Sequence, residues 1–411
     1  MINAVEMNKD YSTREKASYT FIALFFYAVM ITDIVRQVFL LFDIVSNETF
    51  VEMIRNMLYV IIFAGYYLSA TRKTRLKALL VGILFVLFLM ISLLLNPKLS
   101  TFLVTLSLIF LSRNLLAFVM ISELKHPVFL VRIITDLSWI TILYVLLQIL
   151  TPKDASSGYA YNTSFSYNIL LPAVACFYSY FILKERRGIS AVVVLFSFFG
   201  MVAYGARGAI ICASVAVFYM VLMKRNEYSS KKLFGLIALV VIIAVVLLLK
   251  DSILSFLAKL APQSRTIYLI RTNNFIWYAN RENYYYLARV FFRESPFRVT
   301  GIAGDVFFFA EQLGVSIELG RHSHNMFLEL LVSYGVVIGG IAVCVVTYQL
   351  YRFFLRVKLR PEMRTICACI IIPLLPFIFI SGSLCQSYQY WFVIGGVFSI
   401  YNRKAYKPVA V

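Results

Sequence analysis

The sequence predicts an all-α, polytopic membrane protein of about twelve transmembrane helices, with one long extracytoplasmic loop between the ninth and the tenth. Three observations predict it. The chain is 61% hydrophobic with a mean hydropathy of +0.82, where soluble chains lie nearer half apolar. Apolar runs of about twenty residues recur along most of the 411 residues, the length a helix needs to cross about 30 Å of hydrocarbon. The basic residues behind the formal net charge of +19 sit in short clusters between those runs, which is the positive-inside pattern and not a nucleic-acid footprint. No alternation of short strands suggests a β-barrel.

The first eighteen residues are polar, and the apolar run after them lacks a small-residue cleavage site, so it reads as an uncleaved first span. The spacing of apolar runs places spans at Tyr19–Leu41, Met53–Ala70, Ala78–Leu95, Leu99–Met120, Val128–Leu150, Tyr167–Leu183, Ile189–Tyr204, Ala209–Met223, Leu233–Leu249, Met326–Leu350, Thr365–Ile380 and Leu384–Tyr401. Residues 1–249 then hold helices 1–9, residues 250–325 the extracytoplasmic loop, and residues 326–411 helices 10–12 with a cytoplasmic tail. Alternate loops carry Arg72/Lys73/Arg75/Lys77, Lys184/Arg186/Arg187, Lys224/Arg225/Lys231/Lys232 and Arg352/Arg356/Lys358/Arg360/Arg364. That alternation puts both termini in the cytoplasm and the long loop outside. The six cysteines, Cys176, Cys212, Cys344, Cys367, Cys369 and Cys385, lie in or beside apolar runs, which argues against a disulfide framework and a cysteine metal cluster.

Within the loop, Phe275–Glu294 reads as an amphipathic helix carrying Trp277, Tyr278, Arg281, Tyr284, Tyr285, Arg289 and Phe292, ended by Pro296. Gly301, Gly304, Gly314 and Gly320 mark irregular chain beyond it. Such a helix either lies in the membrane interface or forms a lid whose aromatics stack on sugar rings.

The stretch richest in chemistry is Arg321-His322-Ser323-His324-Asn325, which runs straight into an apolar helix. Asn325 and Glu329 are spaced i, i+4, and Gly335 and Gly339 form a small-xxx-small pair that permits close helix approach. His324 at the mouth of a membrane helix suits a general base; the rival reading is an interfacial histidine bonded to a headgroup or carbonyl. A His322-x-His324 zinc site needs a third ligand such as Asp305 or Glu318, and nothing in the sequence specifies one, so no metal is expected. Arg207 breaks two apolar runs on the outer side, against the charge bias, where its fork suits a phosphate; the rival reading is a snorkelling arginine. Arg281, with Arg265, Arg271, Arg289, Arg293, Arg298 and Arg321, makes the loop cationic, suiting an anionic ligand or anionic headgroups. Asp33/Arg36 and Arg132/Asp136 read as internal ion pairs, and Arg113 has no sequence-near partner. There is no P-loop, G-x-S-x-G or HExxH, and no pair of carboxylates spaced for glycosidase chemistry.

Three segments together resemble the superfamily of bacterial O-antigen polymerases and O-antigen ligases. Ala206-Arg207-Gly208 resembles its Arg-Gly turn between spans. Asn280-Arg281-Glu282, Glu294-Ser295-Pro296-Phe297 and Gly301/Gly304 resemble its Arg…Glu-x-Pro…Gly-x-Gly loop, with Asn280 where the family often has glycine. His324-Asn325 with Leu328, Glu329, Gly335 and Gly339 resembles its His-Asn-x-x-Leu-Glu…Gly motif, the most specific of the three. They cover about a third of the chain.

The resemblance implies a GT-C-like, metal-independent, inverting membrane glycosyltransferase without cofactor, whose donor is a glycan on undecaprenyl pyrophosphate. It implies His324 as the catalytic residue, taking the proton of the attacking hydroxyl or positioning the acceptor, and Arg207 and Arg281 on the donor pyrophosphate; His322, Arg321, Asn325 and Arg289 are candidate supporting residues. It implies a bacterial inner membrane location and a site facing the periplasm or cell exterior; a partner such as a chain-length regulator is compatible with it but not given by the sequence. Polymerisation of O-antigen or capsule repeat units is the expected reaction. The alternatives are ligation of the glycan to lipid A-core, within lipopolysaccharide synthesis, and a transporter or flippase that moves lipid-linked sugar without chemistry.

Overall fold

The computed structural model describes residues 11–42, 48–151, 163–204, 207–224, 255–256, 258–259, 265–272, 281–317, 322–357 and 361–399. In chain order the main helices are α1 (Thr13–Leu41), α2 (Glu48–Ser69), α3 (Arg72–Leu95), α4 (Pro97–Ser122), α5 (Pro127–Asp136), α6 (Trp139–Leu150), α7 (Ser164–Leu183), α8 (Arg187–Tyr204), α9 (Arg207–Lys224), α10 (Arg265–Arg271), α11 (Arg281–Glu294), α12 (Gly304–Leu313), α13 (Met326–Tyr334), α14 (Gly340–Val357), α15 (Met363–Ile380) and α16 (Tyr388–Phe398). No strand occurs among the described residues.

Eight helices there are long and apolar enough to cross a membrane, or nine if the pair α5 and α6, bent by 45°, counts as one span. The chain is an all-α polytopic membrane protein. Helix α3 makes the physical case. It is apolar on every face, and only Thr74, Ala78 and Ser92 of it are buried. Leu79, Leu80, Ile83, Leu87, Phe88 and Leu94 all lie exposed, and water would charge about 25 cal/mol for each Å² of that surface. Hydrocarbon does not.

Three of the expected twelve spans account for the difference in number. Leu233–Leu249 lies outside the described residues. The apolar part of α9 is short, and α16 has only 11 residues. The stretch Ser381–Ser387, partly assigned from sequence to the last span, is instead a turn.

By internal contacts the chain divides into two compact units. One comprises Met1–Ile22, Asn56–Leu130 and Tyr278–Val411; the other comprises Ala23–Arg55 and Val131–Trp277. In the second unit α7 packs between α8 and α9, and Phe165 comes so near Gly200 that a Cβ there would sit 3.1 Å from its ring. The charges expected to form internal ion pairs have further partners on neighbouring segments. Asp33 accepts from the Tyr144 hydroxyl at 2.8 Å and lies 3.7 Å from Arg55. Arg132 forms a two-pronged bridge to Glu185 at 2.8 Å, and Asp136 pairs with Arg186. These bridges tie α5 to the turn before α8.

In the first unit α16 lies against the second half of α4, where a Cβ at Gly395 would meet Phe118 O at 2.7 Å. Arg113 reaches Asn56 Oδ1 at 3.4 Å and stacks over Tyr59. The glycine-marked segment after Pro296 is irregular as far as Ala303 and then turns helical. It forms α12, whose residues Gly304–Ala310 are all buried. Ile302, Ala303, Val306 and Phe307 pack on Leu99, Leu103 and Leu106 of α4. Gly301 takes φ +89° with a would-be Cβ 2.6 Å from Ser92 Oγ, and Ser92 Oγ accepts the Ile302 amide at 2.9 Å. So part of the loop between the ninth and tenth expected spans is docked on membrane helices by its own apolar side chains.

Candidate functional site

The site is built on the entry to α13. Asn325 is extended, and its Oδ1 accepts the amides of Phe327 at 3.0 Å and Leu328 at 3.2 Å. It is the N-cap of α13, an interaction worth about 1 kcal/mol. The preceding residue, His324, has φ +54°, in the left-handed region that favours glycine. A histidine there stores strain of roughly 1–3 kcal/mol, which the surroundings must hold.

They hold it from both sides. The Ser323 amide donates to Asp305 Oδ2 at 3.0 Å, and the Ser323 hydroxyl donates to Asn325 O at 3.0 Å. The His322 and His324 rings lie 4.1 Å apart, and His324 meets Tyr284 edge-on at 5.9 Å. Tyr284 belongs to α11, whose Leu287, Ala288 and Phe291 pack with it on Phe308 and Phe309 of α12 and Val332 of α13. Burying such side chains contributes about 1.5–3 kcal/mol each, so the tyrosine beside His324 is firmly placed.

Two buried carboxylates, unseen as a pair in the sequence, lie beneath the cap. Asp305 is completely buried and Glu329 is 3% exposed, and they are near enough to interact electrostatically. Glu329 accepts from the Ser383 hydroxyl at 2.7 Å and the Leu384 amide at 2.8 Å. It thereby fixes the Ser381–Ser387 turn to α13. Burial pushes the Asp305 carboxyl above the usual carboxylate range, and the Ser323 hydrogen bonds and the nearby His322 pull the other way. A lone acid inside Gly301–Ala310 was the available signal: Asp305 stands among Ile, Ala, Val and Phe, and an ionisable residue in such company is a functional candidate by default.

The remaining sequence candidates fall as follows. Arg207 is half-buried and lies in α9, in the other unit. Arg281 lies in α11, with its side chain outside the described residues. Arg321 and Glu318 lie outside them too. Arg289 is on the exposed face of α11, away from the face that carries Tyr284. Arg298 pairs with Glu311 at 3.4 Å and covers the Phe307 ring. Among the described residues no three His, Cys, Asp or Glu side chains are grouped to hold a metal ion.

Gly335 and Gly339 flank the π-helical turn that joins α13 to α14 and permit close approach there. Gly335, at φ +70°, ends α13, and Val336 N donates to Pro296 O at 2.8 Å. A Cβ on Gly339 would lie 2.4 Å from Leu330 O. The pair therefore bends the chain after α13 and brings it against its own preceding turn.

Residues 191–344 match the family model described as O-antigen ligase. The match supports the O-antigen ligase and polymerase superfamily. It takes in Asp305 and the whole His322–Glu329 cap, and it also spans Arg207 and Arg281. It covers somewhat over a third of the chain. No curated protein and no solved structure matches the chain. An O-antigen ligase-type domain in a multi-pass membrane protein supports glycosyltransferase-like activity on lipid-linked glycans.

Proposed function

We propose that the protein is an inverting membrane glycosyltransferase that takes an oligosaccharide from undecaprenyl pyrophosphate and polymerises surface-polysaccharide repeat units. The observation that carries this is His324: a histidine kept in a glycine-type backbone conformation, pinned on both sides, at the head of α13. Strain of this kind persists where function requires a fixed side-chain position.

In the proposed step His324 accepts the proton of the attacking sugar hydroxyl. The hydroxyl oxygen bonds to the anomeric carbon, the anomeric C–O bond to the pyrophosphate breaks, and the lipid pyrophosphate leaves with the electron pair. Arg207 and Arg281 neutralise that departing charge. Cations placed where an anionic leaving group develops are the usual means of stabilising its departure. No metal takes part in this scheme.

Ligation to lipid A-core is the second reading, favoured by the description of the family model. Both readings put the site outside the cytoplasmic membrane and both termini inside, an arrangement that the alternation of basic loops supports. The test is turnover of purified protein with a defined lipid-linked repeat unit, with and without a core acceptor. Polymer without acceptor supports the polymerase, product only with core supports the ligase, and movement of intact lipid-linked sugar with no new glycosidic bond refutes both.

A further inference from the structure

We propose that Asp305 is a positioning residue for His324, clamping the cap through the Ser323 amide so that the histidine keeps its left-handed backbone and its ring keeps its aim. The proposal rests on the reading of His324 as the base; the clamp itself rests on geometry alone.

Asp305 is completely buried, yet only Oδ2 receives a hydrogen bond from the cap; Oδ1 is buried with no hydrogen-bond partner among the described residues. A buried acceptor left unpaired costs about 1–3 kcal/mol, so stability alone does not account for a carboxylate here. Its bond to the Ser323 amide is long-range in sequence and falls on the residue immediately before the strained one. On the other side, Asn325 is fixed by its capping of α13. His324 is thus the single residue between two anchored neighbours, and releasing either neighbour lets its φ relax to the extended region.

The second anchor is referenced to the same helix as the first. The Asp305 amide donates to Ser333 Oγ at 3.1 Å, and the amides of Thr300 and Gly301 donate to Ser333 O at 2.9 and 3.0 Å. Gly304 makes this possible: a Cβ there would lie 2.0 Å from Thr300 Oγ1 and 2.9 Å from Ser333 Cα. So α12 is drawn onto α13 near its end, which sets Asp305 under the cap that starts α13. The clamp is closed on one rigid element, and a shift of α12 moves Ser323 directly.

The experiment compares Asp305→Ala and Asp305→Asn in the purified full chain, in wild-type and His324→Gln backgrounds. Glycan transfer from a lipid-linked repeat unit is followed, together with hydrogen–deuterium exchange at residues 322–325. Asp305→Ala should lower kcat about 10²-fold, the cost of an ångström-scale misplacement, with little change in the donor KM. Cap amides should exchange at least about tenfold faster. Asp305→Asn keeps an oxygen for the Ser323 amide and should stay within about tenfold of wild type. In the His324→Gln background Asp305→Ala should add no further loss, because residues that act as a unit are not additive.

If Asp305→Ala does not fold, Asp305→Leu, similar in size and without an acceptor, takes its place. A full additional loss in the His324→Gln background, unchanged cap exchange in Asp305→Ala, or an Asn variant as slow as Ala would each overturn the clamp. A wild-type protein that transfers no glycan would instead refute the glycosyltransferase reading, while the exchange measurement still decides the clamp.

Discussion

The strain at His324 predicts an inversion of an ordinary rule. In most helix and strand positions glycine is less stable than alanine by about 0.5–1 kcal/mol, because it loses more backbone freedom on folding. At φ +54° the balance changes sign. An L-residue there carries a penalty of about 1–2 kcal/mol that glycine escapes. Both His324→Gly and His324→Ala lose the ring contacts with Tyr284 and His322, so those cancel in the comparison. Subtracting the entropic cost leaves His324→Gly more stable than His324→Ala by about 1 kcal/mol. Asparagine, which tolerates the left-handed region better than alanine, should fall between them. The assay is thermal unfolding of the three purified variants in one detergent, with glycan transfer measured in parallel. Each should lose roughly 10²–10⁴-fold in turnover, since none supplies a base, so the order of stability is read among variants equally impaired. Alanine at or above glycine would refute the strained backbone, and with it the argument that this residue is held for function.

Other outcomes follow from the same geometry. Arg207→Lys and Arg281→Lys should each fail to restore full transfer, because an ammonium cannot reproduce a bidentate fork; wild-type polymer from both would show that positive charge suffices. Asp305 sets a pH dependence of stability whose sign is fixed by burial. Its folded pKa lies above the ordinary value of 3.8, so its destabilising effect is absent below that value and grows as pH rises through the folded pKa, and Asp305→Asn should remove that slope. Glu329→Ala strands the Ser383 hydroxyl and the Leu384 amide, and should cost about 2–5 kcal/mol, seen as a lowered unfolding temperature and faster proteolysis of the Ser381–Ser387 turn. A reporter fused after Gly304 should be extracytoplasmic and one after Lys232 cytoplasmic, and the reverse at either position would separate donor and His324 onto different faces.

What the sequence disclosed about this site, and what it hid, divides along a physical line. Periodicity and composition report where a chain must escape water, so the long spans such as α1, α3 and α4 were legible to within a few residues of their ends. The side chains of His322 and His324 advertise titration at neutral pH by residue type alone, and they do come to lie 4.1 Å apart. The conformation that singles out His324 carries no such mark. A left-handed φ is announced in sequence by glycine or asparagine, and here the residue is histidine because the hydrogen bonds of Asp305, Ser323 and Asn325 impose the conformation. Of those bonds the one from Ser323 to Asp305 reaches outside the cap, to a residue 18 positions earlier, and local spacing does not show it. Asn325 and Glu329 show the limit from the other side. Their i, i+4 spacing suggests a shared face and a shared task, yet Asn325 turns back to cap its own helix while Glu329 points to the Ser383 turn. Glycine misleads in the same way. Gly304 reads as a breaker by its lack of a Cβ, and that same lack is what lets a regular helix lie 2.9 Å, measured from the missing atom, from the backbone of α13. A residue's chemistry is written at its own position; the geometry that turns it into a site is written in its partners.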